Sequence, residues 1–163
     1  MQDRRTFLTL SGIGAAAISL FGCKGATAAP PEKFELVLSD AAWKKKLSPA
    51  AYRVLRHENT EAPFTSALND EHRTGTFACA GCALPLFSSK TKFESGTGWP
   101  SFWAPLANAV RNRTDRTLGF GRTEVHCRRC GGHLGHVFDD GPKPTGQRYC
   151  MNGAAMGFKA GTA

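Results

Sequence analysis

Cysteine and histidine are the residues in this 163-residue chain best suited to chemistry, and their spacing sorts them into groups. Cys79-Ala80-Gly81-Cys82 and Cys127-Arg128-Arg129-Cys130 are two CxxC hooks separated by 44 residues. A CxxC turn lets both sulfurs reach one ion, and two such hooks make a four-thiolate structural Zn²⁺ site. Gly81 and Gly131 are expected to permit the tight backbone, and Arg128 and Arg129 to offset part of the thiolate charge. With all four positions filled, no coordination position is left for a substrate. The ion would pin residues 79–82 to residues 127–130. The alternatives are two disulfides or a redox-active CxxC, the latter without any βαβ unit to support it.

Cys150 has no partner of this kind. It follows the turn-rich run Gly141-Pro142-Lys143-Pro144-Thr145-Gly146 and lies in Gln147–Asn152, a predicted strand. Alternate side chains of a strand share a face. Arg148, Cys150 and Asn152 then point one way, and Tyr149 and Met151 the other. A cation beside a thiol lowers its pKa and favours the nucleophilic thiolate. The competing reading is a small buried apolar residue.

His133-Leu134-Gly135-His136 follows the second hook. Positions 133 and 136 of a regular strand face opposite ways, unless Gly135 carries a bulge. One histidine is therefore expected as the primary acid and the other in support. Ser95-Gly96-Thr97-Gly98-Trp99-Pro100-Ser101-Phe102-Trp103 is rigid and aromatic, and can wall a small apolar pocket; a core role for Trp99 is the alternative.

These residues need elements to hold them. The chain is 41% hydrophobic and 21% charged, an ordinary balance for one domain. Residues 1–28 are expected to be a twin-arginine signal peptide, with Arg4-Arg5 followed by a weakly apolar run from Leu8 to Phe21. Cleavage is expected before Ala29, or at a lipoprotein-like site before Cys23, which would anchor the chain by a lipid. The protein is then periplasmic or otherwise extracytoplasmic. That segment carries three cations and one anion, so its loss takes the net charge from +8 to +6. The basic residues are scattered, so no nucleic-acid partner is expected. Residues 29–38 read as a linker and 39–163 as the domain. Helices are predicted at Ala41–Leu47 and from Pro49, with Ser48 as cap. Strands are predicted at Thr76–Ala78, Leu118–Phe120, Thr123–His126, Leu134–Phe138, Gln147–Asn152 and Met156–Lys159, in a compact antiparallel sheet or small barrel.

CAGC, FESGTGWPSFW, TEVHCRRCGGHLGHVFDDGP and RYCMN, taken together from about Trp43 to Phe158, resemble the methionine-R-sulfoxide reductases of the B class. The resemblance implies a mainly β fold, a small barrel of two antiparallel sheets with short N-terminal helices. It implies zinc at Cys79, Cys82, Cys127 and Cys130, and Cys150 as a nucleophile that becomes a sulfenic acid. It implies that His136 and Asn152, with His133 nearby, bind and protonate the sulfoxide oxygen. Trp99 would pack on the S-methyl group, with Phe102 beside it, and Asp140 and Arg148 would complete the surroundings of the substrate. The implied substrates are oxidised proteins or peptides carrying methionine R-sulfoxide; a monomer is the default expectation. Many members have a resolving cysteine two residues before the tryptophan, where this chain has Thr97. A one-cysteine cycle is therefore expected, with a thioredoxin-like protein or small thiol as reductant. Gly153 stands where serine is common, with little expected effect. A one-cysteine thiol peroxidase and a non-catalytic zinc-ribbon module are the rival readings.

Overall fold

A computed structural model describes residues 32–162; the signal-peptide and Cys23 expectations lie outside that range. Two short helices come first. Helix α1 (Asp40–Lys46) starts where the Ser39 side chain accepts the Ala42 N–H at 3.3 Å. Helix α2 (Pro49–His57) starts the same way, Ser48 accepting from Ala51 at 3.2 Å, with Pro49 in the first turn. Trp43 from α1 and Val54 and Leu55 from α2 are buried.

Among the described residues nine strands follow, in two antiparallel sheets. Strands β1 (Gly75–Cys79), β2 (Pro85–Ser88) and β9 (Met156–Ala160) form a three-stranded sheet with β1 in the middle. Strands β3 (Lys92–Phe93), β4 (Ser101–Phe102), β5 (Val110–Asp115), β6 (Arg122–Cys127), β7 (His133–Phe138) and β8 (Arg148–Met151) form a six-stranded sheet in the order β3-β4-β8-β7-β6-β5. The two sheets share one core. Phe77 and Phe87 of the smaller sheet close on Phe102 of the larger one, with centroids 4.9 Å and 4.4 Å away.

One predicted strand is not a strand. Leu118–Phe120 is the exposed tip of the β5–β6 hairpin. Asp115 Oδ1 accepts the Thr117 N–H at 2.9 Å, and Gly119 has φ +82° and donates to the Arg116 carbonyl, so the chain turns there. The strand that precedes it, β5, has the polar sequence VRNRTD and four exposed central residues. It lacks the apolar alternation that would have revealed it.

Phe102 also differs from expectation. It is completely buried between Phe77 and Phe87 and is a core residue, not a substrate contact. Phe102→Ala is expected to lower unfolding free energy by about 3–5 kcal/mol, read by urea denaturation. A ligand-contact role would instead leave stability intact and raise KM.

Candidate active site

Strand β8 is two-faced, as its sequence requires. Tyr149 and Met151 are buried, whereas Arg148 and Cys150 are half-buried on the other side. Cys150 opens into a pocket of about 130 Å³ lined by Thr60, Trp99, Arg122, Gly135, His136, Phe138 and Asn152. The lining includes the aromatic Trp99 and Phe138 and the polar His136, Arg122 and Asn152.

The histidines reach this region through a bulge. Val125 pairs with Gly135 but His126 pairs with His133, so Leu134 is an extra residue in β7. The side-chain alternation is thereby reset, and the His133 and His136 rings come within 5.4 Å of each other at 66°. Their partners differ. His136 Nε2 lies 2.8 Å from Asp115 Oδ2, an oxygen that also accepts from Arg122 at 2.5 Å. His133 Nδ1 lies 2.7 Å from Glu124 Oε1, and its Nε2 is buried without a hydrogen-bond partner. Burial lowers the His136 pKa, Asp115 opposes that shift, and the nearby Arg122 charge adds to it. The Thr117 amide and hydroxyl, then His136 and Arg122, hold the Asp115 carboxyl well below its ordinary range. Burial pushes Glu124 up, but the hydrogen bonds from His133 and Arg113 prevail and keep it ionised.

Trp99 and Asn152 are held by one residue of the loop after α2. The Glu61 carbonyl accepts the Trp99 indole N–H at 3.1 Å, and the Glu61 N–H donates to Asn152 Oδ1 at 3.0 Å. The Glu61 carboxylate takes the Gly153 and Ala154 N–H groups at 2.5 and 2.9 Å. Asn152 Nδ2 donates to the Leu134 carbonyl at 3.0 Å, which ties it to the bulge.

Cys150 itself departs from expectation. Arg148 stands beside it, but both guanidinium contacts to Asp140, at 2.8 Å each, divert that charge, and the group also stacks over Phe138. Burial raises the Cys150 pKa, and this outweighs the opposing pull of Thr97, Arg148 and Ser101. In the unliganded protein the thiol is therefore favoured over the thiolate.

The other four described cysteines gather elsewhere. The Sγ atoms of Cys79, Cys82, Cys127 and Cys130 lie within 4.8 Å of one another, and none of these residues lines the pocket. The Cys79–Cys130 and Cys82–Cys127 separations are 3.7 and 3.4 Å. These are far longer than a disulfide and close to the ~3.8 Å edge of a tetrahedron with ~2.3 Å metal–sulfur bonds. The set therefore fits a metal ion. Each hook closes by a bond from its fifth residue to the carbonyl of its first, Ala83 to Cys79 at 2.8 Å and Gly131 to Cys127 at 2.9 Å. The left-handed residue of the first hook is thus Ala83, at φ +58°, and not Gly81; Gly131 plays that part in the second at φ +66°. Arg129 donates to the Cys82 carbonyl at 3.2 Å, while Arg128 turns to Glu35 and the Asn108 carbonyl.

Residues 47–160 match the SelR domain model. The chain belongs to the SelR-domain family. It is 57% identical over 121 residues to a peptide methionine sulfoxide reductase MsrB of Thiobacillus denitrificans, covering 74% of this chain and 92% of that protein. It is 52% identical over 127 residues to the MsrB of Leptospira interrogans, covering 77% and 97%. It is 52% identical over 122 residues to the MsrB of Methanosarcina barkeri, covering 74% and 86%.

In this SelR-domain chain the fold brings Cys150, His136, Asn152 and Trp99 into one pocket, as the motifs implied. Arg148 and Asp140 are not among its lining residues; they form an ion pair beside Cys150. His133 lies next to His136, in an adjoining cleft with Glu124. Sequence reasoning missed Asp115, Glu124, Arg122, Phe138, Thr60 and Glu61. Strand alternation around Thr123–His126 sets Glu124 opposite Val125 and so reads it as outward, although both faces of β6 are buried there; nothing local marks Glu61. Gly153 leaves room for Ser66, whose Oγ would stand 1.8 Å from a Cβ built there.

Asp115→Asn should lower the His136 pKa further, because the group opposing the burial effect is lost. The stability that comes from keeping His136 neutral is full above about pH 6.5 and is lost as pH falls through the folded value. NMR titration of the His136 ring checks the direction, and an unchanged or raised midpoint would contradict this electrostatic account.

Proposed function

We propose that this protein reduces methionine R-sulfoxide, in proteins or peptides, to methionine. The carrying observation is the pocket at Cys150, which gathers the sulfur, the aromatic rings of Trp99 and Phe138, and the hydrogen-bonding groups of His136, Arg122 and Asn152. Its volume of about 130 Å³ is well below the ~300–1,000 Å³ of sites that enclose whole small molecules. It suits a side-chain terminus such as a methylsulfinyl group. The names of the relatives above support the same reading.

Trp99, with its indole N–H tied to Glu61, packs on the S-methyl group together with Phe138. The sulfoxide oxygen lies toward His136 and Asn152. The other epimer would exchange methyl and oxygen and bury an oxygen without partners against the ring. His136 takes the Cys150 thiol proton, the thiolate attacks the substrate sulfur, and His136 delivers that proton to the oxygen. The S–O bond to the methionine sulfur breaks and oxygen passes to Cys150, leaving methionine and a sulfenic acid. Two equivalents of an external thiol then return Cys150 to the thiol, releasing water and a disulfide. Support for this one-cysteine cycle is local: Thr97 is the residue nearest the sulfur on the 95–98 turn, and the remaining described cysteines are all in the other cluster. We assign Zn²⁺ to that cluster, held by Cys79, Cys82, Cys127 and Cys130, with a structural part only. Export by the twin-arginine route, with the mature chain beginning at Ala29 or at a lipidated Cys23, is the reading that Arg4-Arg5 supports.

Turnover of the separate epimers by wild type and Cys150→Ser tests the chemistry: R-only activity is expected, with at least a thousandfold loss in the variant, as nucleophile removal commonly gives. Intact and native mass spectrometry after substrate without reductant should show one added oxygen and one zinc per chain, on a chain that begins at Ala29 or Cys23. A loss of two hydrogens would overturn the one-cysteine cycle.

A further inference from the structure

Cys150 lies at the end of a row of three hydroxyls. Thr97 Oγ1 is 3.8 Å from Cys150 Sγ, Ser95 Oγ is 2.8 Å from Thr97 Oγ1, and Ser101 Oγ is 2.7 Å from Ser95 Oγ. Ser101, the last of the three, donates to the Trp99 carbonyl at 3.2 Å and also acts directly on the Cys150 sulfur from the opposite strand. Two local features build the row. Ser101 stands directly opposite Cys150 in the β4–β8 pairing, so the two side chains share a face. The turn between Ser95 and Trp99 passes through Gly96 at φ +71° and Gly98 at φ +92°, which curls Ser95 and Thr97 toward that face.

Each hydroxyl can both donate and accept, so the row can run in either of two senses. When Cys150 is a thiol, its S–H donates to Thr97, Thr97 to Ser95, Ser95 to Ser101, and Ser101 to the Trp99 carbonyl. When Cys150 is a thiolate it can only accept. The row then reverses: Ser101 donates to Ser95, Ser95 to Thr97, and Thr97 to the sulfur. Because the row ends on a carbonyl, it cannot carry the thiol proton away; that proton leaves into the pocket, where His136 is the titratable side chain. The row instead supplies a hydrogen-bond partner to the sulfur in both states without moving a heavy atom.

The charged and titratable groups around Cys150 leave work for such a donor. Arg148 on the same strand is shared with Asp140. His136 on β7 is shared with Asp115, as is Arg122 on β6. Strand β4 contributes only the Ser101 hydroxyl at this point. A thiolate formed in this half-buried place therefore depends on short-range donors.

We propose that Ser101, Ser95 and Thr97 form a reversible hydroxyl row that stabilises the Cys150 thiolate, with Thr97 meeting the sulfur at 3.8 Å and Ser101 facing it from the paired strand. Only its bearing on the sulfoxide step rests on the reductase reading; the thiolate step stands on the geometry alone. The test compares wild type with Thr97→Val, Thr97→Ser and Ser95→Ala. Alkylation of Cys150 by iodoacetamide is followed across pH by peptide mass, beside a single turnover of methionine R-sulfoxide.

Thr97→Val keeps the shape and loses the hydroxyl. Its alkylation profile should move to higher pH, with the rate at neutral pH falling about tenfold, the weaker end of a hydrogen bond to a charged group. Thr97→Ser should restore the wild-type profile, and Ser95→Ala should fall between. A wild-type profile in Thr97→Val would overturn the proposal. So would equal slowing in Thr97→Val and Thr97→Ser, which would mark a shape effect only. If the alkylation profiles shift as stated while wild type leaves the R-sulfoxide unreduced, the row stands and the reductase reading falls.

Discussion

The close approach of β7 to β8 at Gly135 is the constraint on which the site depends. A Cβ built at Gly135 would stand 2.1 Å from the Cys150 carbonyl oxygen and 3.0 Å from the Met151 Cα. No side chain fits there without forcing the two strands apart. The same stretch of β7 carries the extra residue, Leu134, that resets the alternation and brings the His133 and His136 rings together. Leu134 also accepts two bonds from Asn152, one from the backbone at 2.8 Å and one from the side chain at 3.0 Å. A small residue and a bulge thus bring Cys150, His136 and Asn152 to one place.

Around that contact the molecule separates its tasks. The buried Phe77–Phe87–Phe102 group and the four-cysteine cluster hold the scaffold, and neither reaches the pocket. Charge is handled by pairs, Asp115 with His136 and Arg122, Glu124 with His133 and Arg113, and Asp140 with Arg148. The consequence is a resting thiol, since burial outweighs the half-neutralised Arg148. A thiolate formed there would depend on the groups closest to the sulfur, Thr97 and Ser101 among them.

Much of this was legible in the sequence, for identifiable reasons. The CxxC hooks, the two-faced strand at Cys150 and the capped helices follow from spacing and local stereochemistry. The bulge was legible only as a condition attached to Gly135, because periodicity cannot say whether a strand keeps its register. Strand β5 was hidden by its polar sequence, and Phe102 was misplaced because an aromatic in a rigid turn can face either a pocket or a core. Glu61 was out of reach: its four contacts bridge residues 38 and about 91–93 positions away, and only the folded chain brings them together.

Gly135→Ala tests the central claim most directly, by comparing R-sulfoxide turnover with the metal content of the purified variant. The account predicts loss of nearly all turnover, because the added methyl displaces the Cys150 backbone from His136 and Asn152, while the four-cysteine cluster still binds its ion. Turnover equal to wild type in a variant that folds would contradict it.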